Sequence, residues 1–247
     1  MALYTTEAIV LRERDLGEAD RILTLFTRDK GKVEAVAKGA RRPRSRLAGF
    51  SQPFSYGLVS LFSGRNLETV SQAELRESFG ALRADLDRMA YAAYAVDLVD
   101  EVTRERDRHE ELFYVLLSML HLLTGEVDRE LLIRALEIKV LAAAGFRPRL
   151  EDCAACGGTV GDAVRFSPEA GGLVCGNCPA PGAIRLSRGA LETMRRLLGT
   201  DFRRLTGLRW SQAIRAEIGA VLDSYVVHCL ERRPRSWAFL STVRALG

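Results

Sequence analysis

The chain has 247 residues, 47% of them hydrophobic, and a formal net charge of only +4. That length and apolar content allow two or three small cored domains. The longest uncharged apolar run, Leu112 to Gly125, falls short of the about 20 residues that a membrane-spanning helix needs. No cleavable signal or targeting tail is visible, so a soluble, cytoplasmic protein with no membrane partner is expected.

The first 75 residues carry strand signals. Thr5 to Arg14 and Arg21 to Thr27 are apolar, and Asp29-Lys30-Gly31-Lys32 has turn chemistry. Val33 to Lys38 alternates, and a polar stretch runs from Gly39 to Ser51. Pro53 to Phe62 alternates again, with Phe54, Tyr56, Leu58 and Phe62 expected on the core side. Ser63 to Asn66 is a turn, and Leu67 to Ala73 is a fifth strand. Five short strands with one long connection fit a small closed barrel of the OB type. A sandwich or an SH3-like barrel fits almost as well.

From Asp85 the apolar period becomes helical. Three runs, around Met89–Val102, Leu112–Leu123 and Leu132–Val140, predict a bundle that Gly145 and Pro148 terminate. Ser187 caps a helix ending at Gly199, and Ser211 opens a longer helix ended by Pro234. Cys229 lies on the apolar stripe of that last helix, where a buried thiol is expected. The expected fold class is α+β and multidomain: an N-terminal OB-type β-barrel, then a central and C-terminal α-helical bundle with an inserted four-cysteine zinc module. The expected segments are 1–79 for the barrel, 80–147 and 185–247 for the helices, and 148–184 for the module.

Cys153, Cys156, Cys175 and Cys178 form two Cys-x-x-Cys pairs. Each pair holds two thiolates on one turn, and two such turns close a tetrahedron around a zinc ion. Two disulfides or four free thiols would use the same residues, but disulfides fit poorly without secretion. Four sulfurs saturate zinc and leave no position for water, so the single zinc is expected to be structural.

Charge is unevenly placed. Residues 1–80 carry 13 basic and 10 acidic side chains (+3), residues 81–146 carry 8 and 13 (−5), and residues 188–247 carry 11 and 5 (+6). Two basic ends around an acidic middle point to a polyanion. From Ala35 to Leu67 there is no acidic residue, yet Lys38, Arg41, Arg42, Arg44, Arg46 and Arg65 all fall there. Gly39 and Pro43 exclude a regular helix, so most of these cations sit on a loop. Guanidinium groups on such a loop suit phosphates, because each donates two parallel hydrogen bonds. A merely solvated loop is the plainer alternative. Phe50, beside the loop, is the aromatic residue best placed to stack on a base.

Catalytic signals are missing. Gly31-Lys32 is followed by Val33, not the Ser or Thr of a phosphate-binding loop, and Phe26 occupies the position of its first glycine. No Gly-x-Ser-x-Gly elbow occurs. Asp97, Asp100 and Glu101 are expected on the wet face of a bundle helix. No enzymatic activity is expected.

Thr6-Glu7-Ala8-Ile9-Val10-Leu11, then Gly17-Glu18-Ala19-Asp20-Arg21-Ile22-Leu23-Thr24-Leu25-Phe26-Thr27, Gly31-Lys32 and Ala37-Lys38-Gly39-Ala40-Arg41-Arg42 resemble the bacterial recombination mediator family RecO. The likeness continues through Glu137-Ile138-Lys139-Val140-Leu141, Gly145-Phe146-Arg147-Pro148 and the four cysteines. It implies a non-enzymatic, nucleoid-associated protein of RecF-pathway recombinational repair. Such a protein binds single- and double-stranded DNA, anneals complementary strands and joins RecR. With RecR it helps load RecA on DNA coated with single-strand-binding protein (SSB), whose C-terminal tail it contacts. The candidate DNA-binding residues are then Lys30, Lys32, Lys38, Arg41, Arg42, Arg44, Arg46 and Arg65, with Arg195 and Arg196 from the basic C-terminal region.

Overall fold

The computed structural model describes residues 2–64, 66–161 and 164–246. The chain divides into two compact units, residues 1–126 with 235–247, and residues 127–234. These units cut across the expected segments. The first two bundle helices fold with the barrel, and the chain returns to that unit after Pro234. The return is held at Asp97, whose Oδ2 accepts from Ser236 N–H at 2.9 Å and from Ser236 Oγ at 2.8 Å.

In the first unit, strands β1 (Leu3–Leu16), β2 (Asp20–Thr27), β3 (Gly31–Ala37), β4 (Tyr56–Phe62) and β5 (Glu68–Glu77) form a closed barrel in the order β1-β2-β3-β5-β4, the OB-type arrangement. β1 is long enough to serve two neighbours. Its first half pairs with β4 and its second with β2, with a register shift between Val10 and Arg12. A short parallel pairing, Ala35 with Glu68 and Val36 with Thr69, closes the barrel. Ala8, Val10, Leu23, Leu25, Val33, Ala35, Val59, Leu61 and Val70 fill the interior.

Two sequence expectations are corrected here. In β4 the interior takes Gly57, Val59 and Leu61, whereas Tyr56, Leu58 and Phe62 lie on the outer face, so the expected phase is reversed. Both faces of this strand carry large apolar residues because the outside is also covered. Phe113 of α3 (Glu110–Leu123) meets Phe26 at 6.0 Å and Tyr56 at 6.3 Å between ring centroids. Phe50 is 1% exposed and packs into the barrel core, so it cannot stack on a base. Phe54 is buried as well.

Helices α1 (Gly80–Ala84), α2 (Leu86–Val102) and α8 (Trp237–Leu246) complete the first unit. Asp85 caps α2 through Arg88 N–H at 2.9 Å. The α2–α3 connection runs so close to β3 that a Cβ on Gly31 would lie 1.9 Å from the Asp107 carbonyl oxygen. Gly31 also has φ +67°, and Arg106 N–H donates to Lys32 O at 2.9 Å. The glycine before Lys32 is thus required by packing. Asp100 is buried and pairs with Arg12 and Lys32, so it is not on a wet face.

The second unit contains α4 (Arg129–Ala143), the short strands β6 (Arg165–Ser167), β7 (Gly172–Val174) and β8 (Ile184–Arg185), then α5 (Arg188–Gly199), α6 (Phe202–Leu205) and α7 (Gln212–Leu230). Ser187 and Ser211 cap α5 and α7, through Ala190 and Ile214 N–H. Arg134, 3% exposed, is neutralised within α4 by Glu130 and Glu137 and from α7 by Asp223 at 2.6 Å. Gly219 leaves room for it, since a Cβ there would meet Arg134 Nη2 at 3.3 Å.

Candidate nucleic-acid interface and metal centre

Between β3 and β4 the chain makes a succession of tight turns rather than an open loop. Arg42 N–H donates to Gly39 O at 3.0 Å, Ser45 N–H to Arg42 O at 3.0 Å and Ala48 N–H to Ser45 O at 3.2 Å. Ala40, Phe50 and Leu47 point inward and join the barrel core. The root of the loop is tied to the β1–β2 turn. Gly39 N–H donates to Asp20 Oδ1 at 2.7 Å, and Arg41 N–H donates to Ala19 O at 2.9 Å. Gly39 meets this geometry at φ +67°.

The inward residues and the backbone bonds turn the basic side chains outward. Lys38, Arg41, Arg42, Arg44 and Arg46 are exposed. Arg41 is partly occupied, with Nη1 on Gly17 O at 2.8 Å and Nη2 3.3 Å from Asp15 Oδ2. Lys38, Arg42, Arg44 and Arg46 have no carboxylate partner among the described residues. Four cations on a hydrogen-bonded succession of turns, free of acids, can meet backbone phosphates without first breaking internal pairs.

The other sequence candidates fall elsewhere. Lys30 is exposed on the β2–β3 turn, at the other end of the barrel, with its ammonium 5.8 Å from the Tyr4 ring. Lys32 is engaged within the first unit: its Nζ donates to Asp100 O at 2.6 Å and Asp100 Oδ1 at 3.0 Å. A lysine bound to both a helix-end carbonyl and a buried carboxylate is a packing element. Arg65 lies outside the described residues. In the second unit Arg195 is half-buried and engaged by partners of its own chain, with Nη2 on Leu150 O at 2.6 Å and Nη1 on Glu192 at 2.5 Å. Arg196 beside it is exposed on α5. Arg203, Arg204 and Arg209 are exposed nearby in sequence.

The sequence reading missed an apolar groove of about 410 Å³ in the first unit. Leu11, Phe54, Met89, Val96 and Phe239 line it, and Arg12, Arg83, Asp97 and Arg235 stand around them. Phe54 takes φ +74°, a strained conformation for an aromatic residue. Arg83 donates to the carbonyls of Pro53 at 2.9 Å and Ser78 at 2.7 Å, and burial pushes its pKa down. No short-range signal exposes this groove, since its walls come from the barrel, α2 and the returning C-terminal segment.

The four cysteines converge in the second unit. Their sulfurs all lie within 4.8 Å of one another, and Cys156 and Cys175 are 3.8 Å apart. That is too far for a disulfide bond of about 2.05 Å, and every cysteine is free. Gly157, at φ +72°, lets its N–H reach Cys153 O at 2.8 Å and closes the first turn. Arg165 Nη2 donates to the carbonyls of Cys175 and Cys178, which holds the second turn. Cys175 N–H points at Cys153 Sγ at 3.4 Å. Backbone N–H groups of Cys175 and Cys156 pull the Cys153 thiol down to about 6, while hydrogen bonds with the Cys156 and Cys175 sulfurs push Cys178 up to about 12. Four such sulfurs ionise together only if a cation neutralises them, and the cluster could hold a metal ion.

Residues 1–79 match the family described as Recombination protein O N terminal, and residues 83–238 match Recombination protein O C terminal. The chain belongs to the RecO family. Among curated relatives, the DNA repair protein RecO of Symbiobacterium thermophilum is 50% identical over 252 residues, covering 99% of each chain. The DNA repair protein RecO of Pelotomaculum thermopropionicum is 43% identical, over 97% of this chain and 94% of the relative. That of Roseiflexus sp. is 41% identical, over 99% of this chain and 87% of the relative. In this RecO-family DNA repair protein the barrel and the turn-rich basic loop belong to the first unit and the four-cysteine cluster to the second. No helix among the described residues is long and apolar enough to cross a membrane.

Proposed function

We propose that the chain is a non-enzymatic, cytoplasmic DNA-binding mediator of recombinational repair, and that the β3–β4 loop is its principal DNA contact. The observation that carries this reading is the set Lys38, Arg42, Arg44 and Arg46, exposed and without carboxylate partners among the described residues. Phosphate contacts of this kind fix a strand without reading its sequence, so single- and double-stranded DNA are both substrates. Annealing needs two mutually repelling strands to be held by one protein. Each unit has its own exposed cations for this: the loop in the first unit, and Arg196, Arg203 and Arg204 in the second. Lys32 and Arg195 are left out of the proposed interface because internal pairing occupies both.

RecR and SSB are the proposed protein partners, and RecA loading with RecR is the proposed outcome. We place the SSB C-terminal tail in the Leu11–Phe54–Phe239 groove. Any chain end carries an α-carboxylate, and the groove combines an apolar floor with Arg83 and Arg235. Asp100 faces both Arg12 and Lys32, so one carboxylate is shared by two cations. For the cysteine quartet the proposed metal is one structural zinc. Four sulfurs about 2.3 Å from a tetrahedral zinc lie about 3.8 Å apart, close to the Cys156–Cys175 separation. Zinc would hold the two turns together and take no part in chemistry, since four thiolates leave it no open position.

The direct test is strand annealing on SSB-coated complementary DNA, with and without RecR. The mediator reading expects annealing by the chain alone and RecA loading only with RecR. A folded, metal-loaded chain that neither binds nor anneals DNA would instead make it an adaptor between proteins.

A further inference from the structure

Asp20 poses an electrostatic contradiction. It is partly exposed at the start of β2, directly beneath the cationic loop. Its carboxylate accepts from a backbone amide, Gly39 N–H at 2.7 Å, and no cationic side chain among the described residues pairs with it. A carboxylate beside a phosphate-binding loop repels DNA and should be unfavourable there. By contrast, Asp15 near the same turn is paired with Arg21 at 3.5 Å and Arg41 at 3.3 Å.

We infer that Asp20 is a positioning residue for DNA binding: its carboxylate anchors the root of the β3–β4 loop, so that Lys38, Arg42, Arg44 and Arg46 are presented already ordered. The inference rests on the reading of that loop as the DNA interface. The bond to Gly39 sits where the chain leaves β3 and turns into the loop, and Arg41 N–H to Ala19 O adds a second tie one turn later. A carboxylate accepting an amide hydrogen bond is stronger than a neutral acceptor. Gly39, in the left-handed region at φ +67°, is the point where the loop has most conformational freedom to lose. Fixing it in the free protein lowers the ordering cost of binding.

Charge and positioning make opposite predictions for the same substitution. Removing a negative charge next to a polyanion site tightens binding and steepens the salt dependence. Removing an anchor weakens binding and flattens the salt dependence, although no cation has been lost.

The test is the affinity of the full chain for a fluorescent oligothymidylate across a salt series, with Asp20→Ala, Asp20→Asn and Asp15→Asn. Asp20→Ala is expected to lose on the order of tenfold in affinity, equivalent to about one immobilised residue, and to show a shallower salt slope. Asp20→Asn keeps an oxygen acceptor at the same position and is expected to bind at least as tightly as the native chain. Asp15→Asn, which removes a charge and releases Arg41 while leaving the Asp20–Gly39 bond in place, should tighten binding. Faster hydrogen exchange at the Gly39 amide in Asp20→Ala links the loss to the anchor. If Asp20→Ala does not fold, Asp20→Ser carries the same test, since its hydroxyl is one bond too short to reach. Tighter binding by folded Asp20→Ala, equal to that of Asp20→Asn, would overturn the inference. The triple variant Arg42→Gln/Arg44→Gln/Arg46→Gln separates the two claims. If it binds normally, the loop is not the interface; if it is weak while Asp20→Ala is not, only the anchoring role fails.

Discussion

Lys32 Nζ lies 3.0 Å from Asp100 Oδ1 and 2.6 Å from Asp100 O, joining the β2–β3 end of the barrel to the last turn of α2. Side-chain exposures of 14% for Lys32 and 7% for Asp100 put the pair in a partly desolvated setting. Arg12 Nε approaches the same carboxylate at 2.6 Å. Removing Asp100 leaves two cations facing each other with no counter-charge. Because Arg12 is nearly half exposed and can be solvated, Asp100→Ala should destabilise the first unit by about 1–3 kcal/mol, less than a fully buried pair. Lys32→Met, which keeps the length of the stem, should cost less and leave DNA affinity unchanged. Thermal unfolding and DNA titration of the two variants check this.

A second prediction concerns acid. Burial favours protonation of Asp128. The hydrogen bonds from Arg215, Leu131 N–H and Trp210, with the charge of Arg215, outweigh that and hold its carboxyl below the usual aspartate value. Arg215 Nη2 is 2.7 Å from Asp128 Oδ2 and its guanidinium stacks 4.7 Å from the Trp210 ring. Because the folded-state pKa is depressed, this stabilisation is fully present above the unfolded value of about 3.9. It fades as pH falls through the folded value. Urea unfolding of the second unit, followed through Trp210 fluorescence, should lose stability below about pH 4. Asp128→Ala should cost about 1–3 kcal/mol near neutrality, from the lost α4 cap and the stranded guanidinium. It should also flatten the acid dependence.

Removing the proposed zinc should act locally. Stripping it with a chelator, or replacing Cys175 with Ser, should disorder residues 148–184 and leave the barrel intact. The prediction is read by hydrogen exchange, with elemental analysis expected to give one zinc per native chain. Metal binding to thiolates releases protons, so retention should weaken as pH falls. Arg165→Ala should accelerate zinc release without abolishing binding, because it frees the carbonyls of Cys175 and Cys178 rather than a ligand. Zinc release unchanged in Arg165→Ala would remove that guanidinium from the support of the site.

The groove gives a fourth prediction. A peptide copying the SSB C-terminal tail should bind the native chain and bind Phe239→Ala on the order of tenfold more weakly, as expected for an apolar anchor of about 1.4 kcal/mol. Amidating the peptide's terminal carboxylate should weaken binding further, and DNA affinity should be untouched by either change. Equal affinity of native and variant chains would move the tail elsewhere.

Much of this architecture is legible in the sequence where the signal is local. Turn residues and period-two runs mark the five strands, Ser187 and Ser211 mark two helix starts, and cysteine spacing marks the cluster. What is not legible depends on distant partners. Both faces of β4 are apolar because Phe113 covers the outside, so alternation alone selects the wrong face. Phe50 resembles an exposed ring beside a basic loop, yet the barrel mouth needs a plug and takes it. Lys32 looks free until Asp100, 68 positions later, is brought against it. The return of Ser236 to Asp97 likewise cannot be read from local periodicity.

The central claim is that Arg42, Arg44 and Arg46 neutralise DNA phosphates from a preformed loop. Its most direct test is the salt dependence of single-strand binding for the native chain and for Arg42→Gln/Arg44→Gln/Arg46→Gln. Each phosphate neutralised on a single strand contributes about 0.7 to the log–log slope. The triple variant should therefore bind more weakly, with a slope shallower by about 2 and no dependence on base sequence. A folded triple variant with the native slope and native affinity would contradict the claim.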